Sequence, residues 1–97
     1  MATFVSLVNW TDQGIKTYRD SVRRAEDYRG LVEQRGGQVR QLVWTLGEYD
    51  IVAVTDFPDD ETATAVALQT GALGNIRTRT MKAFDAEQMS AIIQRTG

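Results

Sequence analysis

Few side chains in this chain have types and spacing suited to chemistry. Gly47-Glu48-Tyr49-Asp50 places a phenol beside a carboxylate just after a glycine. At the rim of a cleft, the Tyr49 hydroxyl could meet a ligand, with Asp50 as a base or an anchor for a cation. The same residues also suit a tight turn. Gly47 would then take a positive φ, Asp50 would accept backbone N–H groups, and Tyr49 would pack its ring and bond its hydroxyl locally. Trp10 and Trp44 fall at or near strand ends, where an indole can line a pocket or fill a core or interface. Arg77 and Arg79 lie two apart, so a strand puts both on one face and Thr78 and Thr80 on the other. The two arginines could grip a carboxylate or phosphate, or pair with Glu48, Asp50 or an acid of a partner chain. Tyr49, Asp50, Trp10, Trp44, Arg77 and Arg79 therefore form the candidate ligand-binding set. None of them can be assigned a catalytic role from sequence.

Other chemistry is disfavoured by what is missing. The 97-residue chain has no His and no Cys. That removes the usual general base, the Ser-His and Cys-His couples, thiol nucleophiles and the commonest zinc and haem ligands. Asp59-Asp60-Glu61 suits the start of a helix and does not match the spacing of a hard-metal loop. The glycines of Gly71-Ala-Leu-Gly74-Asn75 follow a helix and do not open one after a strand, so they lack the setting of a phosphate loop. No cofactor or metal is expected. A net charge of −2 with interspersed signs argues against general nucleic-acid binding. The first ten residues carry no basic region before their apolar run, and no run approaches the roughly 20 apolar residues of a membrane span. A cytoplasmic protein forming one domain over residues 1–97 is expected.

The elements that must position these residues can be read from periodicity. Residues 2–9 read as a strand. Thr11 caps a helix running from Asp12 to about Arg35, with Ile15, Tyr18, Val22, Ala25, Tyr28 and Val32 at spacings of three and four. Its mixed charges, Arg24 among them, read as a solvated face. Gly36 and Gly37 end the helix. Residues 38–46 and 49–57 read as two strands joined by the Gly47–Asp50 turn, hence antiparallel. Pro58 stops the second of these, and Asp59 or Asp60 caps a helix over about 60–72. Residues 75–84 alternate as a fourth strand, and Asp85 caps a short C-terminal helix. The order β-α-β-β-α-β predicts an α+β, ferredoxin-like fold: a four-stranded antiparallel sheet with two helices on one face.

Two helices cover one face of a sheet, yet neither face here reads as polar. Phe4, Ser6, Val8 and Trp10 alternate with Val5, Leu7 and Asn9; Ile51, Ala53 and Thr55 alternate with Val52 and Val54. Leu42, Trp44 and Leu46 oppose Gln41, Val43 and Thr45. A sheet with a wet outer face should alternate apolar and polar residues. A second copy of the sheet is the simplest cover, which predicts a homodimer with facing sheets.

Thr11-Asp-Gln-Gly14, Trp44-Thr-Leu-Gly-Glu-Tyr-Asp50, Pro58-Asp-Asp-Glu61 and Gly74-Asn-Ile-Arg-Thr-Arg-Thr-Met-Lys-Ala-Phe84 together resemble the GYD-domain family, named for its Gly-x-Tyr-Asp motif. The resemblance spans nearly the whole chain. It implies membership of the dimeric α+β barrels, a superfamily that includes cofactor-less monooxygenases, haem enzymes, ligand-sensing domains and stress-related proteins. The haem members compared depend on a proximal His, absent here, and no established catalytic residue carries over. Three readings follow. The first is a homo-oligomer binding a small, partly apolar molecule between sheet and helices. The second is a cofactor-independent, monooxygenase-like enzyme using Tyr49, Asp50 and an arginine. The third is a structural or interaction module.

Overall fold

The β-branched and aromatic run that opens the chain becomes β1 (Ala2–Trp10), a central strand of the sheet. A computed structural model describes residues 1–97. After β1 come α1 (Asp12–Lys16), a 3-10 turn (Tyr18–Asp20), α2 (Ser21–Gln34), β2 (Gln38–Trp44), β3 (Ile51–Phe57), α3 (Asp60–Ala72), β4 (Ile76–Ala83) and α4 (Ala86–Gln94). The four strands form one antiparallel sheet in the order β2-β3-β1-β4. This is the α+β, ferredoxin-like arrangement that the order of elements predicts.

Local chemistry sets the helix ends. The Thr11 hydroxyl accepts from the Gly14 N–H at 3.1 Å, and Asp59 accepts from the Thr62 N–H at 2.7 Å. Hydrogen bonding from Thr62 holds the Asp59 carboxyl below the ordinary range. Asp85 and Gln88 form a reciprocal capping box at the start of α4. Gly36, at φ 83°, turns the chain out of α2.

The single helix predicted over 12–35 is broken at Thr17, whose φ of −114° and ψ of 36° are not helical. A long-range contact explains the break. Thr11 donates its backbone N–H to the Asn75 carbonyl at 3.0 Å and its hydroxyl to the Gly74 carbonyl at 2.6 Å. A Cβ on Gly14 would overlap the Asn75 carbonyl oxygen. These contacts clasp α1 to the start of β4, while α2 has to run across the sheet. The 3-10 turn joins the two directions. It also shifts the phase of the apolar stripe: Ile15, Tyr18 and Val22 are exposed, and Ser21 and Val32 are buried.

The hairpin differs in detail as well. β2 stops at Trp44 and β3 starts at Ile51, so the connection is six residues, Thr45 to Asp50. The register of β2 on β3 slips between Val39 and Gln41, with Arg40 as the extra residue of a bulge. The bulge lets Val39 and Leu42 share one face, paired with Thr55 and Ala53 respectively. Without it Val39 would join Gln41 and Val43 on the other face.

The buried helix-side core lies at one end of the sheet. Phe4, Val32, Val39, Phe57, Ala63 and Val66 form the core, with the Phe4 and Phe57 rings 6.0 Å apart, edge to face. Full burial of a side chain such as Val32, Val66 or Phe57 contributes about 1.5–3 kcal/mol. The opposite face carries Val5, Leu7, Val43, Val52, Val54 and Met81, and Val43 and Met81 are 39% and 50% exposed. At one corner of that face the Asp56 carboxylate is buried. It accepts from Thr3 at 2.6 Å and from Arg40 at 2.6 Å, tying β1, β2 and β3 together. Burial pushes the Asp56 carboxyl up, but the hydrogen bonds from Thr3 and Arg40 outweigh it and hold the group below the ordinary range.

Two glycine substitutions test the clasp. Gly14→Ala is expected to lose about 1–3 kcal/mol in urea unfolding, the usual cost of forcing atoms into a packed site. Gly30→Ala, within α2 and with nothing near its added Cβ, is expected to gain about 0.5–1 kcal/mol. Equal stability of Gly14→Ala and the parent would contradict the close approach to Asn75.

Candidate functional site

The helices α2 and α3 lie over the same sheet face, with Val32 of α2 and Val66 of α3 in the shared core. Next to that core a patch of small side chains follows. Ser6 and Ala53 on the sheet face Ala25 on α2 and Ala67 on α3, and these cannot fill the gap. The result is an open cleft of about 510 Å³ between sheet and helices. Ligand pockets commonly measure about 300–1,000 Å³, so the space suits a small organic molecule.

The cleft is mostly apolar with a polar strip along its floor. Phe4, Val8, Trp10, Leu42, Ile51 and Ile76 supply apolar surface. The Ser6 and Thr80 hydroxyls are 3.0 Å apart, and Thr78 lines the same floor from the next position in phase on β4. The wall includes Tyr28, whose phenol is pushed above its ordinary value by burial and drawn part of the way back by a hydrogen bond with Thr55. The phenol therefore stays protonated at neutral pH and can act as a hydrogen-bond donor. At the mouth, Arg24 projects from the first turn of α2. The site can enclose an apolar body and meet it with hydroxyl groups, the amides of Gln69 and Asn75 and, at its border, the charged groups of Arg23, Arg24 and Asp27. No group of three acidic side chains gathers as a cation cage would need, and no helix is long and apolar enough to cross a membrane.

The six residues singled out from sequence do not come together. Trp10 lines the cleft. Trp44 ends β2 and is 41% exposed. Arg77 and Arg79 pair with Asn9 and Leu7, which sets them on the sheet face away from the helices. Thr78 and Thr80, which alternation puts on the face opposite the two arginines, are the members of β4 on the cleft side. Tyr49 and Asp50 lie in the hairpin connection outside the cleft. The Asp50 carboxylate accepts from the Trp10 N–H at 2.9 Å, and its own N–H donates to the Val8 carbonyl at 2.9 Å. The Tyr49 carbonyl accepts from the Thr45 hydroxyl. Gly47 has φ 144°, the left-handed geometry that a turn glycine supplies. The motif thus ties the hairpin to the end of β1, whose last side chain, Trp10, forms the end of the cleft.

Ser6, Tyr28 and Arg24 line the cleft without standing out in the sequence as site residues. One signal was available for Ser6: it is a small polar residue in phase with Phe4 and Val8. Arg24 had none, because it stands among neighbours of mixed charge and its direction depends on the break at Thr17.

Comparison with known proteins agrees with the fold. The family model of the GYD domain matches residues 4–93, and the chain belongs to that family. No curated protein matches it. Among solved structures it is similar to the crystal structure of TTHA0845 from Thermus thermophilus, at 25% identity and a TM-score of 0.57. That likeness covers 89% of this chain and 96% of the other.

The anchoring role of Asp50 is open to a direct test. Asp50→Ala, which leaves the Trp10 N–H without its acceptor, is expected to lose about 1–2 kcal/mol of unfolding free energy. Asp50→Asn keeps an acceptor oxygen and is expected to lose clearly less. Urea titration of the three proteins checks the order, and an Ala variant as stable as the parent would contradict it.

Proposed function

We propose that this GYD-domain protein binds a small, partly apolar molecule in the cleft between its sheet and helices. The cleft carries this reading: its walls are apolar, its floor offers hydroxyls, and small side chains leave it open. A ligand that binds only the folded state stabilises it by RT ln(1 + [L]/Kd), or about 2.7 kcal/mol at a hundredfold excess over Kd. In a thermal-shift panel of small aromatic and aliphatic compounds, at least one class is expected to raise the melting temperature of the parent. Ala67→Trp, which places an indole in the cleft from α3, is expected to abolish that rise. A panel that leaves the parent unmoved would remove the support for a binding role, and so would a rise that survives Ala67→Trp.

We propose further that the protein works as a homodimer joined through the outer sheet face. Val5, Leu7, Val52 and Val54 run across the centre of that face, and a large exposed apolar patch is uncommon on a monomer. Burying it against a second copy would leave the cleft, on the opposite face, open. Size-exclusion chromatography with light scattering is expected to give a dimer for the parent at micromolar concentration. It should give a monomer for Val54→Glu, because an interface core does not tolerate an unpaired charge. A monomeric parent would contradict the dimer.

A further inference from the structure

The cleft has a fixed cation at its mouth that the chain itself does not neutralise. Arg24 is half-buried. Its Nη1 donates to the Thr17 hydroxyl at 2.8 Å, and its Nη2 donates to the Gly14 carbonyl at 3.2 Å and the Ser21 hydroxyl at 3.3 Å. All three acceptors are neutral. The ion pairs of the chain are Arg23 with Asp20, Arg40 with Asp56 and Lys82 with Asp60. A guanidinium carries five N–H donors, so these three bonds hold the group in place and leave two donors free. Arg23 and Asp27 also border the cleft. Arg23 is engaged by Asp20 at 3.6 Å, and Asp27 is exposed and forms no ion pair with Arg24.

A positioned guanidinium costs little further ordering when it binds an anion, and a charge-assisted pair with a carboxylate is among the stronger polar contacts. Behind it the cleft is largely apolar, with the hydroxyls of Ser6, Thr78 and Thr80 along its floor and the amides of Gln69 and Asn75 also on its lining. A molecule complementary to both parts has an apolar body for the slot and a carboxylate for the mouth. We infer that the cleft takes small amphipathic carboxylic acids, with Arg24 as the anchor of the carboxylate. This inference rests on the binding role proposed above and names the class of ligand for the same site.

A matched pair of probes separates the two claims: 2-naphthoate, and the neutral alcohol 2-naphthalenemethanol, each titrated calorimetrically into the 97-residue protein. The parent is expected to bind the acid about tenfold more tightly than the alcohol, the scale of one charge-assisted contact. Arg24→Gln is expected to weaken the acid about tenfold and leave the alcohol within twofold, which also shows that the variant is folded. Arg24→Met is the second neutral variant should Gln fail to fold. Equal binding of acid and alcohol by the parent would overturn the anchor and leave the cleft as a binding site. So would a neutral variant that keeps the preference for the acid. If neither probe binds the parent, the proposed ligand class falls, while the binding role is decided by the thermal-shift panel.

Discussion

A sheet covered by two helices on one face has to be filled from end to end, and in this chain the filling is interrupted by small side chains next to the core. Phe4, Phe57, Val32, Val39 and Val66 close the layer where α2 ends and α3 begins. Apolar burial there is the chief force holding helices to sheet. Toward the other end the facing residues are Ser6, Ala25, Ala53 and Ala67. The helices cannot collapse onto them, because both are set by the core at one end and by the chain connections at the other. The cleft is the consequence, and its position follows from where the bulk stops.

The second determinant is the clasp between α1 and the start of β4. Gly14 lies against the Asn75 carbonyl, where no side chain fits. Thr11 bonds to Gly74 and Asn75 on the same stretch. With α1 fixed in this way, the chain breaks at Thr17 before α2 can cross the sheet. Arg24 then reaches back across the break to Thr17 and Gly14. One contact between residues far apart in sequence thus shapes the helix, orients the guanidinium and frames the mouth of the cleft. At the far side, Asp50 fixes the hairpin to Trp10 and so holds the end of the floor.

Much of the fold was legible in the sequence because its signals are local. β-Branched and aromatic content marked the first strand and alternation the fourth, and Thr11, Asp85 and either Asp59 or Asp60 marked helix starts through side chains able to bond the next turn. The positive φ of Gly47 followed from turn chemistry. The features that were not legible depend on partners distant in sequence. The break at Thr17 arises from Asn75, and no property of residues 12–35 requires it. The bulge at Arg40 moves Val39 to the helix side, which an unbroken alternation misassigns. The cleft itself arises from missing bulk at Ser6, Ala25, Ala53 and Ala67, four positions that only the folded chain brings together. Attention to reactive residue types favoured Tyr49, Asp50, Arg77 and Arg79, which the fold sets in the hairpin and on the outer sheet face.

The claim that the space between sheet and helices is the binding surface can be tested most directly by methyl-resolved NMR, with 2-naphthalenemethanol as a neutral probe. Methyl groups of Val8, Ala25, Ala53 and Ala67 line the cleft, and those of Val5, Val52 and Val54 lie on the opposite sheet face. Saturable shifts are expected in the first group with the second group still. Shifts confined to Val5, Val52 and Val54, or none in either group, would contradict it.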